Sequence, residues 1–216
     1  LAKQQARALG NQAETLLHMN RIHEAIPLNE ESINIFRRFD LKKDLAISLL
    51  NQAILMKVNN HNLADIVIFA DEAESISTEM GDHLTLGRVL CVKAEISEMQ
   101  SDMVKAANFI EDAIKNFQQV NSKGAFGGAC FLKAHFLATR MDRPIEALEW
   151  FDKCIETGTQ FGFRQLAYRA FSFISFYYPS IGEPEIGLTA AQEWYKHASG
   201  MEDEKMSNIA GLTVID

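Results

Sequence analysis

Proline is scarce in this sequence of 216 residues, with 4 in all, and glycine is modest at 12. So few chain-breaking residues leave room for long regular segments and exclude a low-complexity chain. Cys91, Cys130 and Cys154 are odd in number and widely spaced. They form neither a disulfide framework nor a zinc spacing, and read as small buried hydrophobes in a reducing compartment. Basic residues are outnumbered: 21 Lys and Arg against 29 Asp and Glu leave a net charge of −8. That deficit argues against direct nucleic-acid binding, which needs a basic face. It is compatible with a neutral or basic protein partner. No apolar run is long enough to span a bilayer and no signal peptide is present, so a cytoplasmic protein without membrane contact is expected. Residue 1 is Leu, and the sequence reads as an excised or processed piece.

Signatures of chemistry are also missing. The six histidines (18, 23, 61, 83, 135 and 197) make no metal-ligand spacing with cysteine or carboxylates. Gly124-Ala125-Phe126-Gly127-Gly128 lacks the Lys-Ser/Thr of a phosphate-binding loop and reads as a turn and close helix contact. There is no Gly-x-Ser-x-Gly and no paired Cys/His nucleophile site. Carboxylates are plentiful, but nothing places two of them in a dry pocket. The expectation is a non-enzyme with no cofactor and no metal.

What the chain does have is a period. Asn11-Gln12-Ala13 returns as Asn51-Gln52-Ala53, and stepping on by about forty residues reaches Ala94, Ala134 and Ser175. A second ladder runs through Ala25, Ala64, Ala106, Ala147 and Gly187. A third, at the unit ends, is Phe39, Met80, Val120 and Phe161. Small residues that keep phase over several units let two helices approach at one fixed point in each repeat. Apolar residues at helical spacing, such as Ala6, Leu9, Ala13, Leu16 and Leu17, fill each segment between the breaks. Pro27 is placed early in a helix, where a missing N–H costs least, and Pro144 suits the first turn of another. Gly81 reads as a left-handed helix end and Asp82 as the N-cap that follows it. The units fall at approximately 3–40, 44–81, 82–121, 125–161 and 163–199, with a partial sixth at 205–216, in a single array over 1–216. No linker is long enough to divide it into independent domains.

On these residues the chain resembles the tetratricopeptide repeat (TPR) family. The matching positions are the small residue of each first helix (Ala13, Ala53, Ala94, Ala134), the alanine early in each second helix (Ala25, Ala64, Ala106, Ala147), and the phrases Glu24-Ala25-Ile26 and Glu146-Ala147-Leu148. The standard repeat is about 34 residues. The longer units here, with phrases like Ser32-Ile33-Asn34-Ile35-Phe36-Arg37-Arg38-Phe39, look like the extended repeats of bacterial regulators and of spindle-orientation and motor-cargo adaptors. The resemblance implies an all-α fold: a right-handed α-solenoid of about five antiparallel helix pairs. It further implies a concave groove lined by the first helices that takes up a peptide or helical segment of a protein partner. In extended-repeat adaptors an Asn two positions before the small residue grips the ligand backbone; those positions here are Asn11 and Asn51, then Val92 and Leu132. An amide suits that role because it both donates and accepts.

Helical geometry adds neighbours on the same face. These are Arg7, Glu14 and His18 in the first unit, with Ile47, Ile54 and Lys57 in the second. Arg88, Glu95 and Glu98 follow in the third, Phe131 and His135 in the fourth, Arg169 and Phe176 in the fifth. Together they describe a mixed groove, charged at one end and aromatic toward the other; the alternative is an ordinary solvated face with pairs within each helix. The aromatic run Phe161–Tyr178 reads as packing of a terminal unit or, alternatively, as a surface for a homodimer. Three functions remain open: a protein-interaction scaffold, a sensor segment of a larger bacterial transcriptional or signalling regulator, or a self-assembly module.

Overall fold

The computed structural model describes residues 2–199, so the sixth unit expected at 205–216 lies outside the described residues. Among the described residues there are ten α-helices and no strand. They are α1 (Ala2–His18), α2 (Ile22–Arg38), α3 (Lys42–Val58), α4 (Leu63–Glu79), α5 (His83–Met99), α6 (Met103–Gln119), α7 (Lys123–Arg140), α8 (Pro144–Gln160), α9 (Arg164–Ser180) and α10 (Pro184–Ser199). Successive helices pair as expected from the repeat: α1 with α2, α3 with α4, α5 with α6, α7 with α8, α9 with α10.

The sharp turns have a common local cause. In each of them one residue adopts a left-handed backbone: Asn20, Asp40, Asn60, Gly81, Ser101, Asn121, Asp142, Gly162 and Gly182. Asn, Asp and Gly tolerate that region best. The next residue then turns its N–H back onto the last helical turn. Arg21 donates to the Leu16 carbonyl at 2.8 Å, Leu41 to Phe36 at 3.0 Å, Asp82 to Ser77 at 3.0 Å and Glu183 to Tyr178 at 2.9 Å. This repeated closure satisfies carbonyls that a helix end would leave without a partner. Gly81 behaves as the sequence predicts, with φ of +63°. Asp82 caps α5 by accepting from the Thr85 N–H at 3.2 Å, and Pro144 opens α8.

The described chain gathers into two compact units, Leu1–Ser122 and Lys123–Asp216. In unit 1 the core is Leu45, Leu49, Leu50, Ala53, Ile66 and Val89 with their neighbours, and a smaller cluster forms around Ala13, Leu16, Ala25 and Leu55. In unit 2 the core is built on Cys130, Ala134, Phe151, Cys154, Phe171, Tyr178 and Trp194. The first small-residue ladder is buried throughout, from Ala13 to Ser175. Gly187, of the second ladder, shows why size matters: a Cβ on it would stand 2.4 Å from the Pro179 ring.

Two expectations need correction. Ala64 is exposed and does not belong to the second ladder; Ile66, fully buried, is the fourth residue of α4, as Ala25 is of α2 and Ala106 of α6. Pro27 is not in the first turn of its helix. It is the sixth residue of α2, past the N–H groups that a helix start leaves unpaired, so its missing donor costs α2 a hydrogen bond.

Candidate partner-binding face

Asn11, Asn51, Val92, Leu132 and Phe173 each stand two positions before the small residue of an odd-numbered helix. This register line marks the face on which the candidate residues fall, and the two units use it differently.

In unit 1 the line is polar and its charges are largely matched inside the protein. Arg7 of α1 reaches across to Asp44 of α3 at 2.7 Å, with Lys3 adding a longer contact of 3.4 Å. Lys57 of α3 pairs with Glu95 of α5. Burial pulls the Lys57 ammonium below its ordinary pKa, while Glu98 pulls it back up. Asn51 is half-buried and Asn11 exposed, and among the described residues neither carboxamide makes a hydrogen bond. Glu14, His18 and Arg88 stand exposed, and Ile54 packs half-buried against the core.

Behind this face lies a polar cluster that periodicity does not announce. Ser48 and Gln52 belong to the echo-bearing stretch of α3, yet both are buried. The Asn29 amide of α2 donates to the Ser48 carbonyl at 2.9 Å and to Gln52 Oε1 at 2.8 Å. Gln52 in turn donates to Glu30 at 3.2 Å. The Ser32 hydroxyl donates to the Ala6 carbonyl at 2.9 Å and lies 3.3 Å from the Ser48 hydroxyl. At the matching places of α4 and α5 stand Ala70, Ala73, Val89 and Lys93. Lys93 repeats the arrangement in charged form, donating to Asp71 at 2.7 Å and also pairing with Glu74. Those two hydrogen bonds raise its pKa, although burial is the largest single influence and opposes them.

In unit 2 the same face is aromatic. Phe131 and His135 of α7 meet Phe173 of α9, which the sequence reading treated as packing. His135 lies 5.1 Å from Phe173 at 61°, and Phe173 stacks on Tyr177 at 4.9 Å and 21°. Phe151 of α8 closes the cluster from below, 5.1 Å from Phe173. The Tyr177 hydroxyl is anchored to the Ala138 carbonyl at 2.6 Å. The Arg169 guanidinium carbon stands over the Phe131 ring, 4.3 Å from its centroid. Phe176 projects outward and is 62% exposed. The structure therefore brings Phe131, His135 and Arg169 together and adds Phe173 and Tyr177. The signal for Phe173 was in the register, since it is the fifth member of the line that begins with Asn11. Elsewhere in the run, Tyr168, Phe171 and Tyr178 are buried in the core of unit 2, while Phe161 and Phe163 stand exposed outside α9.

The thiols are quiet. Burial pushes Cys91 and Cys130 up to about 12 and Cys154 to about 11, so all three stay protonated at neutral pH. Among the described residues there is no group of three or more His, Cys, Asp or Glu placed to hold a metal ion, and no helix is long and apolar enough to cross a membrane.

Neither a protein-family model nor a curated protein sequence matches the chain. Solved structures do. A Rap protein complexed with Competence and Sporulation Factor superposes with a TM-score of 0.74 at 10% identity, over 99% of this chain and 63% of that one. TPR-like repeats of a putative kinesin light chain from Podosopora anserina give 0.68 at 11% identity, covering 94% of this chain and 99% of theirs. The apo quorum sensor NprR from B. thuringiensis gives 0.62 at 17% identity, over 98% of this chain and 64% of that one. The chain thus spans less than two thirds of the Rap and NprR chains it matches. Identities this low speak to fold, and the fold agrees with the helix pairs and their period of about forty. The chain is a TPR-like α-solenoid, an array of helix pairs with the architecture of the tetratricopeptide-type repeat proteins.

Proposed function

We propose that this array is a protein-interaction module that binds a peptide or helical segment of a partner along the face of its first helices. The observation that carries the reading is the pair of amides, Asn11 and Asn51, which share one register line and have no hydrogen-bond partner among the described residues. Asn11 is exposed and Asn51 half-buried, so both amides keep a donor and an acceptor available, and an extended backbone offers the matching groups. The likeness to a Rap protein solved with a bound factor supports the same reading.

The test is binding of the chain to an array of random-sequence peptides, with Asn11→Ala and Asn51→Ala combined. The double variant should keep its helical circular dichroism and lose at least tenfold in affinity, about 1.4 kcal/mol or more, for the peptides that the parent binds. Unchanged affinity would overturn the reading.

A second reading has its own support. The Rap and NprR chains are longer than this one, and NprR is a quorum sensor. On that reading the array is the sensing segment of a larger regulator, and its ligand is a small effector or a neighbouring domain. Peptide capture that depends on Asn51 favours the scaffold; binding only to a covalently linked neighbour favours the sensor.

A further inference from the structure

We propose that the α7–α9 face of unit 2 selects a partner segment carrying a carboxylate close to a large apolar side chain. This rests on the peptide-binding reading above and names what the peptide must present.

Charge supplies the first argument. The chain carries −8 overall, yet the side chains gathered around Arg169 are the rings Phe131, His135, Phe173 and Tyr177, with Phe176 exposed on the same helix. Two cations on the corresponding face of unit 1 are used internally, Arg7 by Asp44 and Lys57 by Glu95, while Arg88 stands exposed without a ring beneath it among the described residues. Arg169 makes no ion pair and no hydrogen bond among the described residues, and its guanidinium stands over the Phe131 ring. Contact with the ring restrains the exposed guanidinium, whose N–H groups have no partner on the ring to bind in line. A planar fork held in that way matches a carboxylate, which it can bind through two parallel hydrogen bonds. Pre-orientation by the ring also lowers the entropy lost when the ligand docks.

Shape supplies the second. Phe173 lies one helical turn beyond Arg169, and Phe176 is 62% exposed on the same helix. Residues four apart on a helix are neighbours roughly 5–6 Å apart. In an extended ligand that distance is spanned by about two residues. The ligand's apolar side chain would thus lie on Phe173 and Phe176, with its carboxylate two positions away on Arg169. The rings of Phe131, His135, Phe151 and Phe173 hold one another in edge and tilted contacts, so this floor is formed before the ligand arrives.

The experiment uses the full chain and four fluorescein-labelled peptides of Gly/Ser background, measured by fluorescence anisotropy. Their central triplets are Phe-Ser-Glu, Phe-Ser-Gln, Phe-Ser-Lys and Ala-Ser-Glu. Phe-Ser-Glu should bind tightest, with losses of about tenfold on changing Glu to Gln, more on changing it to Lys, and about tenfold on changing Phe to Ala. Arg169→Gln, at an exposed position, should erase the Glu-over-Gln preference and keep the Phe-over-Ala preference. Phe176→Ala should do the reverse. If the peptides bind without regard to charge, or if the preference for Glu survives Arg169→Gln, the inference falls and the peptide-binding reading stands. If none of the four binds while random-sequence peptides do, the inference again falls alone. If no peptide binds at all, both fall.

Discussion

Buried Cys130 and Cys154, and half-buried Cys91, show how much one shielded atom can couple to solvent conditions. Each thiol is held neutral because a thiolate would be desolvated, and Cys154 also points its S–H at the Leu166 carbonyl, 3.5 Å away. Their folded pKa values lie above the ordinary value of 9.0, at about 12, 12 and 11. The sign follows from linkage. A raised folded pKa gives stability that is complete below pH 9 and is lost as pH climbs toward the folded values, because only the unfolded chain ionises there. Chemical denaturation midpoints should be insensitive to these thiols from pH 6 to 8 and should fall steadily above pH 9. Thiol-specific labelling at pH 8 should likewise be slow in the native chain and should accelerate with denaturant. Fast labelling of all three in native buffer would show that the thiols are not buried as described.

At the scale of the element, each described helix is almost the same length, and each of the first nine is followed by a left-handed turn residue, so the helix is the counted unit of this fold. α2 departs from the rule. Pro27 sits inside it, exposed, and without an N–H it cannot make the hydrogen bond of an interior helical residue. Pro27→Ala should therefore stabilise the chain, by about 1–3 kcal/mol, with part of the gain offset by the freer unfolded chain. A rise in thermal midpoint with unchanged peptide affinity is the expected result. A fall would mean that the proline sets a bend on which α2 packing depends. The α2–α3 junction is unusual in a second way. Asn29, Ser32, Ser48 and Gln52 replace the apolar residues expected between packed helices; they bond to one another, to the Ala6 carbonyl and to Glu30, and leave only the Asn29 side-chain oxygen without a partner among the described residues. A network of that kind tolerates few alternative registers, which ties α2 to α3 more specifically than leucines would.

For the molecule as a whole, the relevant fact is the presence of two compact units, each with its own core. Stability in repeat arrays is close to a sum of local and nearest-neighbour terms, so a unit with a complete core folds without distant parts of the chain. Residues 1–122 expressed alone should be helical and should unfold cooperatively in urea. A fragment of that length that shows no cooperative transition would mean that the core of unit 1 is insufficient by itself. The same partition gives the candidate face its character. Unit 1 presents amides and matched ions; unit 2 presents rings and an arginine without a carboxylate.

The sequence by itself determined the helices, their period and their turns. These depend on interactions within a few residues: apolar spacing, an Asn, Asp or Gly where the backbone turns left-handed, a proline at the start of α8. The resemblance in small residues led to the fold on the same evidence. Tertiary structure decided what periodicity leaves open. Alanine at 64 looked like a ladder member because it is small, but burial is set by position on the helix, and that position belongs to Ile66. Gln52 and Ser48 are polar and would be read as solvent-facing; they are buried because Asn29 and Ser32 on another helix meet their hydrogen-bonding needs. Phe173 and Phe176 are the same residue three positions apart. One is held by Phe131, His135 and Phe151 and the other, its neighbour on the helix surface, is exposed, because only contact with neighbouring helices distinguishes the two positions.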